Sequence, residues 1–231
     1  MTRCVRGLFV SATDTGVGKT LVACELIRRL RSLGIDACGM KPVETGVGED
    51  GPLDALALRA ASGGGDSLED VCPQRFAHPV APAVAAEWEG RSVDLVAVLG
   101  AFARLSARHE CVIVEGAGGL MVPLTPAFDM AGLAAELGLP VLLVARARLG
   151  TINHTLLTLA ELRARDLRPV GVVVSRSEGE LAEADERNLA FLRAALGELW
   201  LGDIPYLDDG VGVPNRAIDL DALIRSLGLE A

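Results

Sequence analysis

Apolar runs of strand length alternate along the chain with longer stretches whose apolar residues recur every three to four positions. The runs fall at residues 7–11, 35–41, 111–115, 141–145, 170–175 and 201–204. Most are continuous rather than alternating, which predicts parallel strands buried on both faces. The helical spacing predicts helices near 20–33, 54–61, 93–108, 130–137, 151–165, 181–196 and 217–227. A β-α-β-α order of this kind predicts an α/β fold with a doubly wound, mostly parallel sheet. Two irregular stretches interrupt it, the glycine-rich 42–52 and the proline-rich 71–82. Loops of that length in a compact domain are commonly functional, and the first follows a strand end, where open α/β sheets bind ligands.

Composition narrows the picture. With 231 residues, half of them apolar, the chain has enough material for one core, and a single domain over 1–231 is expected. The formal net charge of −9, with no basic block, argues against nucleic acid or an anionic membrane as partner. The longest apolar stretch, 137–145, falls short of the roughly 20 residues of a spanning helix. Arg3 and Arg6 lead into a short strand-like run rather than a secretory signal, so a cytoplasmic location is expected. The five cysteines, Cys4, Cys24, Cys38, Cys72 and Cys111, show no CxxC spacing and read as core residues. Of the histidines, His78, His109 and His154, none has metal-ligand spacing; His109 reads as a surface residue.

Lysine occurs only at Lys19 and Lys41; every other Lys/Arg position is arginine. Both lysines adjoin glycine-rich turns, and a compact ammonium meets phosphate as a point charge where a planar guanidinium imposes fixed geometry. Lys19 closes the segment Ser11-Ala12-Thr13-Asp14-Thr15-Gly16-Val17-Gly18-Lys19-Thr20, set between a strand and an amphipathic helix. Backbone N–H groups of such a turn cradle phosphates, the lysine reaches them, and the Thr20 hydroxyl ligates Mg²⁺. Thr13 stands where the generic pattern has its first glycine, but the strand-turn-helix context still predicts a sheet of the P-loop NTPase type. Lys41-Pro42-Val43-Glu44-Thr45-Gly46 lies at the next strand end, aimed at the same crevice. Cys111-Val112-Ile113-Val114-Glu115 has the shape of a Walker-B strand, and the following Gly116-Ala117-Gly118-Gly119 allows close backbone approach to a ligand. Asp54, taken alone, reads as a helix N-cap.

In order and spacing, Thr13–Thr20, Lys41-Pro42-Val43, Asp54-Ala55-Leu56-Ala57-Leu58 and Glu115–Gly119 resemble the dethiobiotin synthetases. So do Leu149-Gly150-Thr151-Ile152-Asn153-His154 and Gly202-Asp203-Ile204-Pro205. The resemblance implies an ATP- and Mg²⁺-dependent ring closure of 7,8-diaminononanoate with CO2. The implied products are dethiobiotin, ADP and phosphate, formed through a carbamate and a carbamic-phosphoric anhydride. It implies Lys41, Lys19 and Thr15 as catalytic groups and Thr20, Asp54 and Glu115 as Mg²⁺ ligands, in place of the capping role for Asp54. Nucleotide would be held by Gly16, Val17, Gly18, Lys19, Thr20, Leu21, Asp54, Glu115, Gly116, Ala117 and Gly118. Further nucleotide contacts would come from Ser175, Arg176, Pro205, Tyr206 and Leu207. Substrate would meet Thr45, Gly118, Gly119, Leu149, Gly150 and Asn153, the last from a partner subunit, which implies a homodimer with its site at the interface.

The chain departs from the pattern at Ala12, where glycine is common, and at Gly16, which replaces an acid of some members. Ser175 stands where an asparagine often reads the adenine edge. A hydroxyl discriminates less than a bidentate amide, so a relaxed base preference, with nucleoside triphosphates other than ATP accepted, is expected. Two other readings share the phosphate loop. A cobyrinate-type synthase needs a glutaminase domain for which the chain has no room. A switch or partitioning ATPase often carries an extra lysine early in the loop, where this chain has Thr13, Asp14 and Thr15.

Overall fold

A computed structural model describes residues 6–177, 179, 181–207, 213–214 and 217–228; Cys4 lies outside them. The chain begins with β1 (Arg6–Ala12), α1 (Lys19–Ser32), β2 (Ala37–Met40), β3 (Val43–Thr45), α2 (Leu53–Ala61) and α3 (Leu68–Val71). It continues through β4 (Gln74–Phe76), α4 (Pro82–Trp88), α5 (Leu95–Arg108), β5 (Cys111–Glu115), β6 (Pro123–Thr125), β7 (Phe128–Asp129) and α6 (Met130–Glu136). It closes with β8 (Val141–Arg146), α7 (Thr151–Ala164), β9 (Pro169–Ser175), α8 (Glu183–Leu196), β10 (Trp200–Ile204) and α9 (Leu220–Leu227).

All six strands expected from the apolar runs join one parallel sheet in the order β10-β9-β8-β1-β5-β2. Alternate residues of each strand feed separate cores on its two faces, as a two-residue period requires. Phe9, Val112, Leu143 and Val172 pack with α5, α6, α7 and α8. Leu8, Ile113, Leu142 and Val173 pack with α1 and α9. Double burial explains why the strands read as continuous apolar runs. Gly39 in β2 lets α1 and α2 sit close on the sheet, because a Cβ there would lie 2.8 Å from both Ile27 Cδ1 and Leu58 Cβ. No helix among the described residues is long and apolar enough to cross a membrane.

Two sequence expectations are corrected, and one helix is added. The stretches 42–52 and 71–82 are not wholly irregular, since β3 and β4 lie within them and pair in parallel as a separate two-stranded sheet. The segment 82–88 forms α4, started by Pro82 in its first turn, where a missing N–H costs nothing. His109 is not a surface residue: its side chain is 15% exposed and lies between Asp36 and Asp66.

Candidate active site

Parallel register assembles the chemistry at the carboxyl end of the sheet. Val10 pairs with Glu115 and Met40 with Val114, so Lys41, the next residue after β2, stands level with Glu115. The loop from β1 to α1 closes over that same end. A cavity of about 350 Å³ opens there, and Thr15, Lys19, Thr20, Lys41, Asp54 and Glu115 are among its lining residues.

The loop turns into α1 at Gly18, whose φ of 92° is left-handed and favours glycine. A Cβ at Gly18 would also stand 2.9 Å from the Ser175 hydroxyl oxygen. The first turn of α1 contains no acidic residue and its N-cap makes no side-chain bond, so the positive end of the helix dipole faces the cavity as an anion site. Lys19 Nζ donates to the Asp14 carbonyl at 3.3 Å, lying back along the loop. Burial, followed by repulsion from Lys41, lowers the Lys19 amine to about 8.

Behind the loop, four side chains form one cluster. Lys41 Nζ donates to Asp54 Oδ2 and to Glu115 Oε1, each at 2.6 Å. Thr20 Oγ1 lies 3.0 Å from Asp54 Oδ1 and 2.9 Å from Glu115 Oε1. Burial alone would lower the pKa of Lys41, but the Glu115 and Asp54 carboxylates outweigh it and hold the ammonium above its ordinary value. Burial would likewise raise Asp54, and the charge and hydrogen bond of Lys41 reverse this and hold the carboxyl below its ordinary value. The ammonium has three donors and uses two here, leaving one for a ligand.

The donor set fits Mg²⁺. Thr20 has one hydroxyl proton for two carboxylate contacts. Glu115 Oε2 is fully buried and has no hydrogen-bond partner among the described residues. Hard oxygens therefore outnumber protons at this point, the condition that a small divalent cation with carboxylate and hydroxyl ligands relieves.

Asp54 does not cap its helix. Glu44, which the sequence reading did not single out, lies across the cavity wall and caps α2 instead. Its Oε1 accepts the Asp54 N–H at 3.0 Å and its Oε2 the Ala55 N–H at 2.9 Å. Burial raises the Glu44 carboxyl above its ordinary value. By occupying those two donors, Glu44 leaves the Asp54 carboxylate to Lys41 and Thr20. An acid ten residues ahead of a helix start forms no local capping pattern, so no sequence signal marked it.

Gly16, Gly18, Thr45, Ala117 and Gly118 also line the cavity. Val17 is buried beneath the loop and Leu21 packs partly buried on α1. Gly116 backs onto Phe9, and Gly119 lies close to the Ala12 carbonyl. The remaining expected residues do not line this cavity. Arg176 pairs with Asp203 at 2.6 Å and with Glu186 at 2.5 Å. It borders a separate cavity of about 1270 Å³. Ser175 is buried against Gly18, and Pro205, Tyr206 and Leu207 follow β10, with Tyr206 exposed. Leu149 and Asn153 are exposed around the start of α7, where Gly150 is the left-handed N-cap.

A family model described as an AAA domain matches residues 6–212. A protein of Anaeromyxobacter dehalogenans (strain 2CP-C) named ATP-dependent dethiobiotin synthetase BioD is 57% identical, over 76% of this chain and 79% of its own. A protein of the same name from Akkermansia muciniphila is 37% identical, over 96% of this chain and all of its own. Among solved structures, the MinD cell division protein of Aquifex aeolicus superposes with TM-score 0.56 at 16% identity, covering 98% of each chain. A ParA family ATPase from Chlorobium tepidum gives TM-score 0.54 at 13% identity, over 98% of this chain and 90% of its own. These two likenesses place the fold among P-loop NTPases.

Proposed function

The chain belongs to the ATP-dependent dethiobiotin synthetases, a family of ligases, and we propose that it closes the ring of dethiobiotin from 7,8-diaminononanoate, CO2 and ATP by the following route. One substrate amine adds to CO2, losing a proton and forming a carbamate. A carbamate oxygen attacks the γ-phosphorus and ADP departs. The second amine then attacks the carbonyl carbon of the mixed anhydride, phosphate leaves, and the cyclic urea is complete.

Little of this requires a protein nucleophile, so positioning and charge stabilisation carry the catalysis. The backbone from Gly16 to Gly18 and the α1 dipole hold the phosphates, while Lys19 and the third donor of Lys41 meet the charge that grows on the transferring group. Thr15 adds a hydroxyl at the cavity edge, and Thr45 and Gly118–Gly119 face the substrate. Thr20, Asp54 and Glu115 would hold Mg²⁺, which when bound neutralises phosphate oxygens as a Lewis acid. Asn153 and Leu149 would reach the substrate of a second copy of this chain in a homodimer. All reactants are small and soluble, and we assign the reaction to the cytoplasm.

The observation that carries this reading is the convergence of Lys41, Thr20, Asp54 and Glu115 on one cavity beside the phosphate loop. Phosphate release should require diaminononanoate and bicarbonate together, with dethiobiotin formed in equal amount. Hydrolysis at the same rate without the diamine would refute the assignment and point to a switch ATPase.

A further inference from the structure

At the end of the sheet opposite the active site, ligand-type side chains from three separate elements converge. Cys38 stands in β2, Asp66 in the α2–α3 connection and His109 just past α5. One potential ligand atom from each lies within 4.8 Å of the other two. Cys38 is fully buried and Asp66 nearly so. The imidazole is held from both sides, with Nδ1 3.1 Å from Asp36 Oδ2 and Nε2 3.0 Å from Asp66 Oδ2. A cavity of about 560 Å³ opens beside them, with Asp36, Ser62, Asp66 and His109 in its lining.

We propose that Cys38 Sγ, Asp66 Oδ2 and His109 Nε2 form a metal site separate from the Mg²⁺ cluster, suited to Zn²⁺, with water as the fourth ligand. Thiolate, imidazole and carboxylate together are a zinc donor set, softer than the all-oxygen set at Thr20, Asp54 and Glu115. Asp36 provides the outer-shell partner such sites use. By accepting the Nδ1 proton it fixes the tautomer and turns the Nε2 lone pair toward the metal position. Arg108 donates to Asp66 Oδ1 at 3.0 Å, and His109 Nε2 lies 3.2 Å from that oxygen and 3.0 Å from Oδ2, so Oδ2 is the less engaged oxygen and the one for the ion. Tetrahedral zinc with bonds of about 2.0–2.3 Å sets its ligand atoms about 3.3–3.6 Å apart. Separations of up to 4.8 Å thus need a closure of about 1.2–1.5 Å, within reach of a cysteine rotamer change. The bound ion ties β2 to the turns that precede α3 and β5.

Co²⁺ added to the full chain in excess Mg²⁺ tests this, because sulfur ligation and tetrahedral geometry give cobalt a spectrum that an oxygen site does not. One equivalent should produce intense visible bands and a near-ultraviolet sulfur-to-cobalt band, and Zn²⁺ should displace it. Cys38→Ser and His109→Asn should lose both features while keeping dethiobiotin synthesis at the wild-type rate. Zn²⁺ should raise the Tm of the parent chain and not that of His109→Asn. If Cys38→Ser does not fold, His109→Asn carries the comparison alone. A weak octahedral spectrum only, or an unchanged spectrum in His109→Asn, overturns the proposal and reduces the trio to a polar network without a metal.

Discussion

At the scale of single residues, the proposed chemistry centres on a lysine bound to two acids. Glu115 is fully buried and Lys41 nearly so, and Lys41 is the cation that holds both Glu115 and Asp54. Replacing it would remove the donor proposed to meet the transferring phosphoryl group and would leave a buried carboxylate less compensated. Lys41→Gln should lower kcat by about 10²–10³ with the circular dichroism spectrum unchanged, and near-normal turnover would remove Lys41 from the mechanism. The scarcity of lysine alone singles out this residue in the sequence. Ser175 makes a different case, because its hydroxyl packs against Gly18 and offers little with which to read a base edge. Comparable kcat/KM values for ATP, CTP and GTP are therefore expected. A strong preference for ATP would show that another group reads the base.

Among the elements, long and doubly buried strands were legible and short ones were not. Six continuous apolar runs became the six strands of the main sheet because burial on both faces leaves no room for polar alternation. β3, β4, β6 and β7 span two or three residues each, too few to establish a period. Glu44 escaped notice for a related reason: its capping role spans two elements. The same holds for Cys38, Asp66 and His109, whose separations in sequence match no ligand motif. Short α3 depends on partners of this distant kind. Its Asp70 accepts from Arg104 and Arg108 of α5, both at 2.7 Å. Burial would raise the Asp70 carboxyl, but these hydrogen bonds outweigh it and hold it below its ordinary value of 3.8. A depressed carboxyl stabilises the fold above its unfolded pKa, and that contribution is lost as pH falls through the folded value. Asp70→Asn should therefore cost about 1 kcal/mol at neutral pH, a modest figure because both arginines are partly exposed. The difference in Tm between parent and variant should vanish in strong acid. A gap that persists there would trace the loss to packing rather than charge.

For the molecule as a whole, α7 is where the proposed homodimer would form. Leu159 and Leu162 are buried against the sheet, as the inner face of a surface helix should be. The outer face carries leucines too, beside Asn153, His154 and Arg163: Leu157 is 61% exposed, Leu156 42%, and Leu149, just before the helix, 81%. Exposed leucines on an outer helix face suit a covering layer, which in the proposed homodimer is a second copy of this chain. Asn153 lies exposed beside these leucines, so a second copy covering them would also bring its own Asn153 toward this region. The homodimer and the role of Asn153 then depend on one surface. Leu157→Asp puts a charge in the middle of that surface without touching the phosphate loop or the Lys41 cluster. Sedimentation should show the parent chain as a dimer and the variant as a monomer. If the partner completes the substrate site, KM for the diamine should rise steeply in the variant while nucleotide binding holds. A monomeric variant with unchanged KM would keep the dimer but take Asn153 out of the substrate site. A parent chain that sediments as a monomer would deny α7 its partner altogether.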